Sequence, residues 1–342
     1  MPTPPLPPFF RDTTTDLIRV AALLRAGELV ALPTETVYGL AANALDETAV
    51  RRIFTVKGRP LIDPLIVHVP TLEAVAQIAT PPPRLRRLAT QFWPGPLTVV
   101  LRKKRIIPDL VTAGTPTVAI RIPRHPLMQK VLSLTGLFLA APSANPFGYI
   151  SPTRPGHVRD SLGEKTPWIL DGGECAHGIE STILDLTNPA TPRLLRTGPV
   201  TRDALESALN QPVAPPPKTP PGQGGHPEQP TAQPAPGMLT RHYSPRTPIV
   251  LRNHGAAIPV SPPSPLQRRA IVWLQRPDKP STDGLDFWLS ETGSPEEIGR
   301  NIFALLRQLD SGQFDVMHVE LTNGTGLGAA INDRLTRAAA KP

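Results

Sequence analysis

One cysteine, Cys175, stands among 342 residues, which excludes an internal disulfide and any metal site built from several thiolates. A reducing compartment suits such a chain. Aromatic residues are scarce at 5%, which argues against base-stacking platforms for single-stranded nucleic acid. No uncharged apolar run reaches the length of a membrane span. The opening MPTPPLPPFFRDTTTD has neither a basic start nor an apolar stretch of signal-peptide length. Walker A, zinc-type Cys/His spacing and the kinase signature are all missing. These absences point to a soluble cytoplasmic protein with no membrane partner. What is abundant is proline, 46 residues, and positive charge, a formal +8. That balance suits nucleotides, RNA or acidic lipids, and equally an ordinary solvated surface.

Residues 1–15 read as a disordered proline-rich tail. From Asp16, DLIRVAALLRAGELVALPT predicts an amphipathic helix, a stop at Gly27 and a strand ending at Pro33. A helix follows over 46–56, with strands over 65–69, 97–101, 117–122 and 137–141. Another strand, 181–186, comes after DGGECAHG. The alternation predicts an α/β domain over 16–210, some of its strands buried on both faces. At 211–237 large apolar residues almost vanish, so this segment builds no core and reads, with the following residues to 246, as a linker. Its contour is at most roughly 80 Å, enough to cross a neighbouring domain and return. A second α/β pattern fills 247–342: strands TPIVLR, RAIVWLQ and VMHVEL, and a helix from Ser294 to Leu309 opened by SPEE. It predicts a small Rossmann-like domain. No solenoid-type repeat is present.

Several stretches place polar residues where a sheet would hold a ligand. PTETVYG sets Thr34, Glu35, Thr36 and Tyr38 at an expected strand-to-helix junction, as a ligand edge or an ordinary cap. In KGRPLIDPLIVH, Lys57 and Arg59 flank a glycine that lets backbone approach an anion, or form a solvated basic turn. His68 alternates to the face of Ile66, either as a satisfied core histidine or with an anionic partner. Arg121 interrupts the apolar strand of VAIRIPRHP, and a buried arginine needs a carboxylate or phosphate. Arg124 and His125 fall beyond that strand, as surface residues. APSANPFGYISPT contributes Ser143, Asn145 and Ser151; GIESTILDL and LLRTGPV add Ser181 and Arg196. Cys175 and His177 invite a thiol-nucleophile reading, but the sequence supplies no orienting third group or oxyanion hole. The GTGLG at 324–328 follows a strand and opens a helix, yet it closes its domain, which favours a structural use.

In order and spacing, GELVALPTETVYGLAANA, KGRPLIDPLIVHV, WPGPLTVVL, VAIRIPRHP, APSAN, DGG, GIESTI and GMLTRHYSP resemble the YrdC-like family of threonylcarbamoyl-AMP synthases in its longer, two-domain form. The likeness runs over residues 16 to 245 and resumes over the last hundred or so. It implies a twisted open mixed α/β sheet with a large basic cavity, plus a smaller Rossmann-like C-terminal domain. It implies that ATP, L-threonine and bicarbonate become threonylcarbamoyl-AMP and pyrophosphate with Mg²⁺, and that another system transfers the group to tRNA. By the same resemblance Lys57, Arg59, Ser143 and Asn145 face the nucleotide, and Thr117, Ser151, Arg196 and Tyr243 complete the ATP site. Thr36, His68, Arg121 and Ser181 face threonine. The departures are Asp63, where the family usually has asparagine, RTGP around Arg196, and NPFGYIS around Ser151. Asp63 would bind Mg²⁺, or accept a bond from the ribose or an amide, beside the ATP.

Every intermediate of that reaction is anionic, so the site is expected to be an array of cations and donors with no covalent nucleophile. The linker would fold back as a lid, with His242 and Tyr243 closing the cavity. Two other readings remain at this point. One is an RNA-binding or ribosome-associated module using the same basic concavity, with weak tRNA contact. The other is a carbamoyl-transfer domain of hydrogenase maturation, whose zinc-finger cysteines and acylphosphatase-like segment are missing.

Overall fold

The computed structural model describes residues 9–217, 232–238, 242–256, 268–280 and 285–340. Residues 1–8 of the expected tail, 218–231 and 239–241 of the expected linker lie outside them. Short apolar runs with β-branched residues make the strands: VAL at Val30–Leu32, IVH at Ile66–His68, TVAIR at Thr117–Arg121. They join an eleven-stranded mixed sheet. Its order runs Phe9–Phe10, Trp168–Leu170, Val30–Leu32, Gly39–Asn43, Leu139–Ala140, Ile66–His68, Thr117–Arg121, Leu97–Lys103, Thr182–Asp185 and Arg193–Arg196. Ala79–Thr80 pairs beside Leu97–Lys103. Three of these pairings decide the site: Ile66–His68 runs parallel to Thr117–Arg121 with His68 opposite Arg121, Leu97–Lys103 runs antiparallel to Thr117–Arg121, and Leu139–Ala140 runs antiparallel to Ile66–His68.

Two expectations need correction. PTETVYG does not lead into a helix; it joins two antiparallel strands, Val30 opposite Ala41 and Leu32 opposite Gly39. The chain turns back at once, and Gly39–Asn43, despite its helix-forming Leu and Ala, is held as a buried strand by tertiary pairing in the sheet. Phe9 to Thr15 were assigned to the tail, yet Phe9 and Phe10 pair with Ile169 and Leu170. Phe10 stacks on Trp168 at 5.4 Å, and the Arg159 guanidinium lies 3.8 Å from the Phe9 ring. Thr13 then caps the helix Thr14–Arg25, accepting from the Asp16 amide. Two aromatic side chains bury enough surface to order a segment whose prolines suggest otherwise.

The C-terminal domain is a four-stranded parallel sheet in the order Ile249–Arg252, Val316–Glu320, Arg269–Gln275, Asp286–Ser290. The helices Pro295–Leu309 and Leu327–Ala338 pack on it. Ser294 caps the first by accepting from the Glu297 amide, as SPEE predicts. The glycines of GTGLG do structural work: a Cβ at Gly328 would sit 2.5 Å from Thr322 Oγ1.

The two domains share one apolar cluster, in which Val37, Ile150, Ile179 and Tyr243 pack with Ile298, Ile302 and Phe303. Gly178 touches the second domain so closely that a Cβ would lie 2.3 Å from Arg300 O, at φ +70. Arg307 reaches back to donate to Ser151 O and Ser161 Oγ. Among the described residues no helix is long and apolar enough to cross a membrane.

Candidate active site

A cavity of about 50 Å³ opens at the carboxyl ends of Ile66–His68 and Thr117–Arg121. Alternation along the second strand turns Ala119 and Arg121 to one face. There Ile66, Val100, Ala119, Ile183 and Leu195 form a small apolar floor, covered by Ala235 from the linker.

Arg121 is 3% exposed, so its charge must be met inside the protein. The carboxylate that meets it is Glu35, 2.7 Å away. Arg121 also donates to Thr36 Oγ1 at 2.8 Å and to Gly95 O at 3.1 Å. Burial pushes the Glu35 carboxyl up, but the Arg121 charge and hydrogen bond together with backbone amides leave it below the ordinary range. His68 stands beside Arg121 in register. Burial, then the adjacent Arg121 charge, push its imidazole from 6.5 down to about 3, so the ring is neutral. Its Nδ1 has no hydrogen-bond partner among the described residues. Of the two readings open for His68, the ring is thus neither charged nor fully satisfied.

The KGR turn works differently from its expected role. Gly58, at φ +62, ends the helix Glu47–Lys57 and swings Arg59 inward to the cavity wall. Arg59 donates to Asp63 O at 3.0 Å and Pro64 O at 2.7 Å, and lies 2.9 Å from Asp63 Oδ2. Burial raises the Asp63 carboxyl, with Arg59 opposing it. Asp63 is therefore the counter-ion of Arg59 and is itself fully buried. Lys57 does not line the cavity. Its ammonium donates to Ser143 O at 2.6 Å and to Asn145 O, bracing the APSAN loop from behind. Burial, then Arg59, push it well below the ordinary lysine range.

Arg196 does line the cavity, at 6% exposure. It donates to Ser181 O at 3.1 Å, Ser181 Oγ at 3.2 Å and Pro236 O at 3.3 Å. No carboxylate lies within ion-pair distance of it among the described residues. Ser181 is fixed in turn by a 2.7 Å hydrogen bond shared with Thr98.

From the linker, Pro236, Gly237, His242 and Tyr243 close the opposite wall. Tyr243 adopts φ +64, a conformation few non-glycine residues take, and stacks on Phe303 of the C-terminal domain at 5.4 Å. Its hydroxyl has no partner among the described residues. His242 lies edge-on to Tyr243 at 4.1 Å; burial and the surrounding Arg59, Lys57 and Arg196 charges hold it neutral.

The cavity therefore gathers Thr36, Arg59, His68, Arg121, Ser143, Ser181, Arg196, His242 and Tyr243. It does not gather Lys57, Asp63, Thr117, Asn145 or Ser151. Thr117 sits at the opposite end of its strand from Arg121. Asn145 donates to Pro146 O and Tyr149 O, shaping its own loop, and Ser151 Oγ donates to Glu180 Oε1 at 2.5 Å beneath the domain junction. The sequence did not single out Glu35 as the partner of Arg121, nor Glu180 and Arg334 as a pair. For Glu35 the signal was available: a carboxylate in the short loop between two apolar strands, Val30–Leu32 and Gly39–Asn43, in a chain with a buried arginine to pair. Cys175 is buried and its thiol raised by that burial, which leaves no activated nucleophile there. No group of three or more His, Cys, Asp or Glu able to hold a metal exists among the described residues.

Comparison with known proteins fits this geometry. A Sua5/YciO/YrdC family profile, described as telomere recombination, matches residues 22–198, and the profile of the threonylcarbamoyl-AMP synthase C-terminal domain matches 200–340. The chain is 41% identical to the threonylcarbamoyl-AMP synthase of Pyrococcus abyssi, across 94% of this chain and 93% of that protein. It is 36% identical to the Bacillus subtilis enzyme of the same name, across 97% of both. A crystal structure of P. abyssi Sua5 complexed with L-threonine superposes with a TM-score of 0.81 at 35% identity, covering 96% of each chain.

The neutral His68 has a pH consequence. The unfolded chain protonates this ring near 6.5, the folded chain only near 3, so protons favour unfolding between those values. The stabilisation is complete above about pH 7 and is lost as pH falls through that window. In urea unfolding at about pH 7 and about pH 5, His68→Gln should lose less stability than the parent on acidification. Equal losses in the two proteins would contradict this assignment.

Proposed function

This chain belongs to the Sua5/YciO/YrdC family in its two-domain form, and from that membership and the cavity's charge we propose that it makes threonylcarbamoyl-AMP and pyrophosphate from ATP, L-threonine and bicarbonate. The observation that carries this reading is Arg196, a buried cavity cation that meets only neutral oxygens and so awaits an anion. The relative that holds L-threonine in its crystal structure shares the fold across nearly the whole chain.

On this reading Thr36, His68, Arg121 and Ser181 receive threonine, and Arg59, Ser143, Arg196 and Tyr243 receive the nucleotide. Lys57 and Asn145 act from behind, by shaping the loop that carries Ser143. The threonine amine must attack as a neutral group, and neutral His68 beside Arg121 offers it an acceptor nitrogen while Arg121 takes the carboxylate. The amine forms its C–N bond to the carbon of bicarbonate, giving a carbamate with loss of water, or to CO₂, giving a carbamate with loss of the amine proton to solvent. A carbamate oxygen then bonds to the α-phosphorus, and the bond to the β-phosphate oxygen breaks to release pyrophosphate. Charge stays negative throughout. Fixed guanidinium groups in a water-poor cavity therefore stabilise each stage without reorganising.

Magnesium fits as part of the substrate. Asp63 is spent on Arg59, and the described residues offer no acidic cluster, so the ion would arrive on the polyphosphate. The RNA reading has less support. The cavity cations are 3–6% exposed, beyond the reach of a nucleic-acid backbone. Transfer of the product to tRNA falls to a separate system that must accept a labile mixed anhydride.

The linker wall serves as a lid: Pro236, Gly237, His242 and Tyr243 cover the cavity, and water kept out spares the carbamate. Pyrophosphate release from ATP should require both threonine and bicarbonate; release without threonine would overturn the proposed reaction. Ending the chain after Asn210 should abolish that turnover, and full activity in the shortened protein would remove the lid.

A further inference from the structure

A carboxylate in the wall of an anion site is a problem, and Glu180 is one. It is 6% exposed and lines the cavity next to Ser181. Its oxygens are both occupied, Oε1 by the Ser151 hydroxyl at 2.5 Å and Oε2 by Arg334 Nε at 2.8 Å. Arg334 comes from the last helix, Leu327–Ala338, in the other domain. It is the largest side chain among those described as fully buried.

Its other contacts are equally directed. One guanidinium nitrogen meets Asp333 at 2.7 Å, another donates to Thr197 O at 2.9 Å, and the group lies 5.2 Å from the Tyr243 ring centroid. A single side chain thus touches the GIESTI, RTGP and RHYSP segments. Glu180 and Thr197 directly flank Ser181 and Arg196, which bond to each other. The plainer alternative is an interdomain strut with no bearing on the ligand. Charge separates the two. Without Arg334, the buried Glu180 charge would repel any anion held by Arg196.

We infer that Arg334 is a positioning residue of the cavity, supplied by the C-terminal domain: it cancels Glu180 and fixes Arg196 and Tyr243 where an anionic substrate meets them. This rests on the reading of the cavity as the nucleotide and carbamate site. The second domain is then a part of the site's electrostatics, and the first domain alone would carry an unbalanced Glu180.

The test uses the full-length protein, with KM for ATP from pyrophosphate release, ATP binding by calorimetry, and thermal unfolding of each variant. Arg334→Met should raise KM roughly tenfold, the size of one unscreened charge across a site at an effective dielectric near 20. Glu180→Gln should leave KM unchanged or lower it. The double variant should return towards the parent. A strut would move both single variants in the same direction, or change thermal stability alone, and either result overturns the inference. Should Arg334→Met fail to fold, the double variant and Glu180→Gln still decide: a raised KM in Glu180→Gln would sink it. A parent protein without threonine-dependent release would instead refute the proposed reaction, and the sign pattern in ATP binding would still test Arg334.

Discussion

The structure is organised around buried cations that outnumber the carboxylates available to meet them. Arg121 pairs with Glu35, Arg59 with Asp63, and Arg334 with Glu180. Lys57 and Arg196 are left with carbonyl and hydroxyl oxygens. Removing an ion from water without a counter-ion is strongly unfavourable, several kcal/mol per charge as an order of magnitude. A fold that keeps such groups gives up stability for a cavity of fixed positive potential. The three paired arginines then have a second use. Each carboxylate orients its arginine, so on the proposed reading the array would be in place before an anion enters.

The sheet makes this possible by what it aligns. Parallel pairing sets His68 beside Arg121, and the antiparallel return at Gly39 folds Glu35 and Thr36 over them. The C-terminal domain contributes from the far side, through Phe303 under Tyr243 and Arg334 against Glu180. Tyr243 and Phe303 both belong to the apolar cluster common to the domains, so the aromatic residue of the linker wall is anchored in a core.

Much of this was legible in the sequence. The strand containing Arg121 announced a buried charge, and the run IVH placed His68 on the cavity face, because period-two alternation needs no tertiary information. The composition break after Asn210 and the capped SPEE helix likewise depend on local chemistry. What escaped were choices made at long range. Lys57 and Arg59 sit two residues apart, yet the αL turn at Gly58 sends only Arg59 to the cavity. Asp63 looked like an acid beside a nucleotide, and its pairing to Arg59 depends on a turn whose shape the sequence does not display. Glu180 and Arg334 are 154 positions apart, and no local pattern links them. Phe9 and Phe10 were hidden by the prolines before them.

The central claim is that Arg196 is a cation held ready for an anion. Calorimetric titration of ATP into the Arg196→Gln protein tests it most directly, since glutamine keeps a donor and removes the charge. The account predicts affinity at least roughly tenfold below the parent, in the range of a lost charged hydrogen bond, with cooperative unfolding retained. Parental ATP affinity in Arg196→Gln would contradict it.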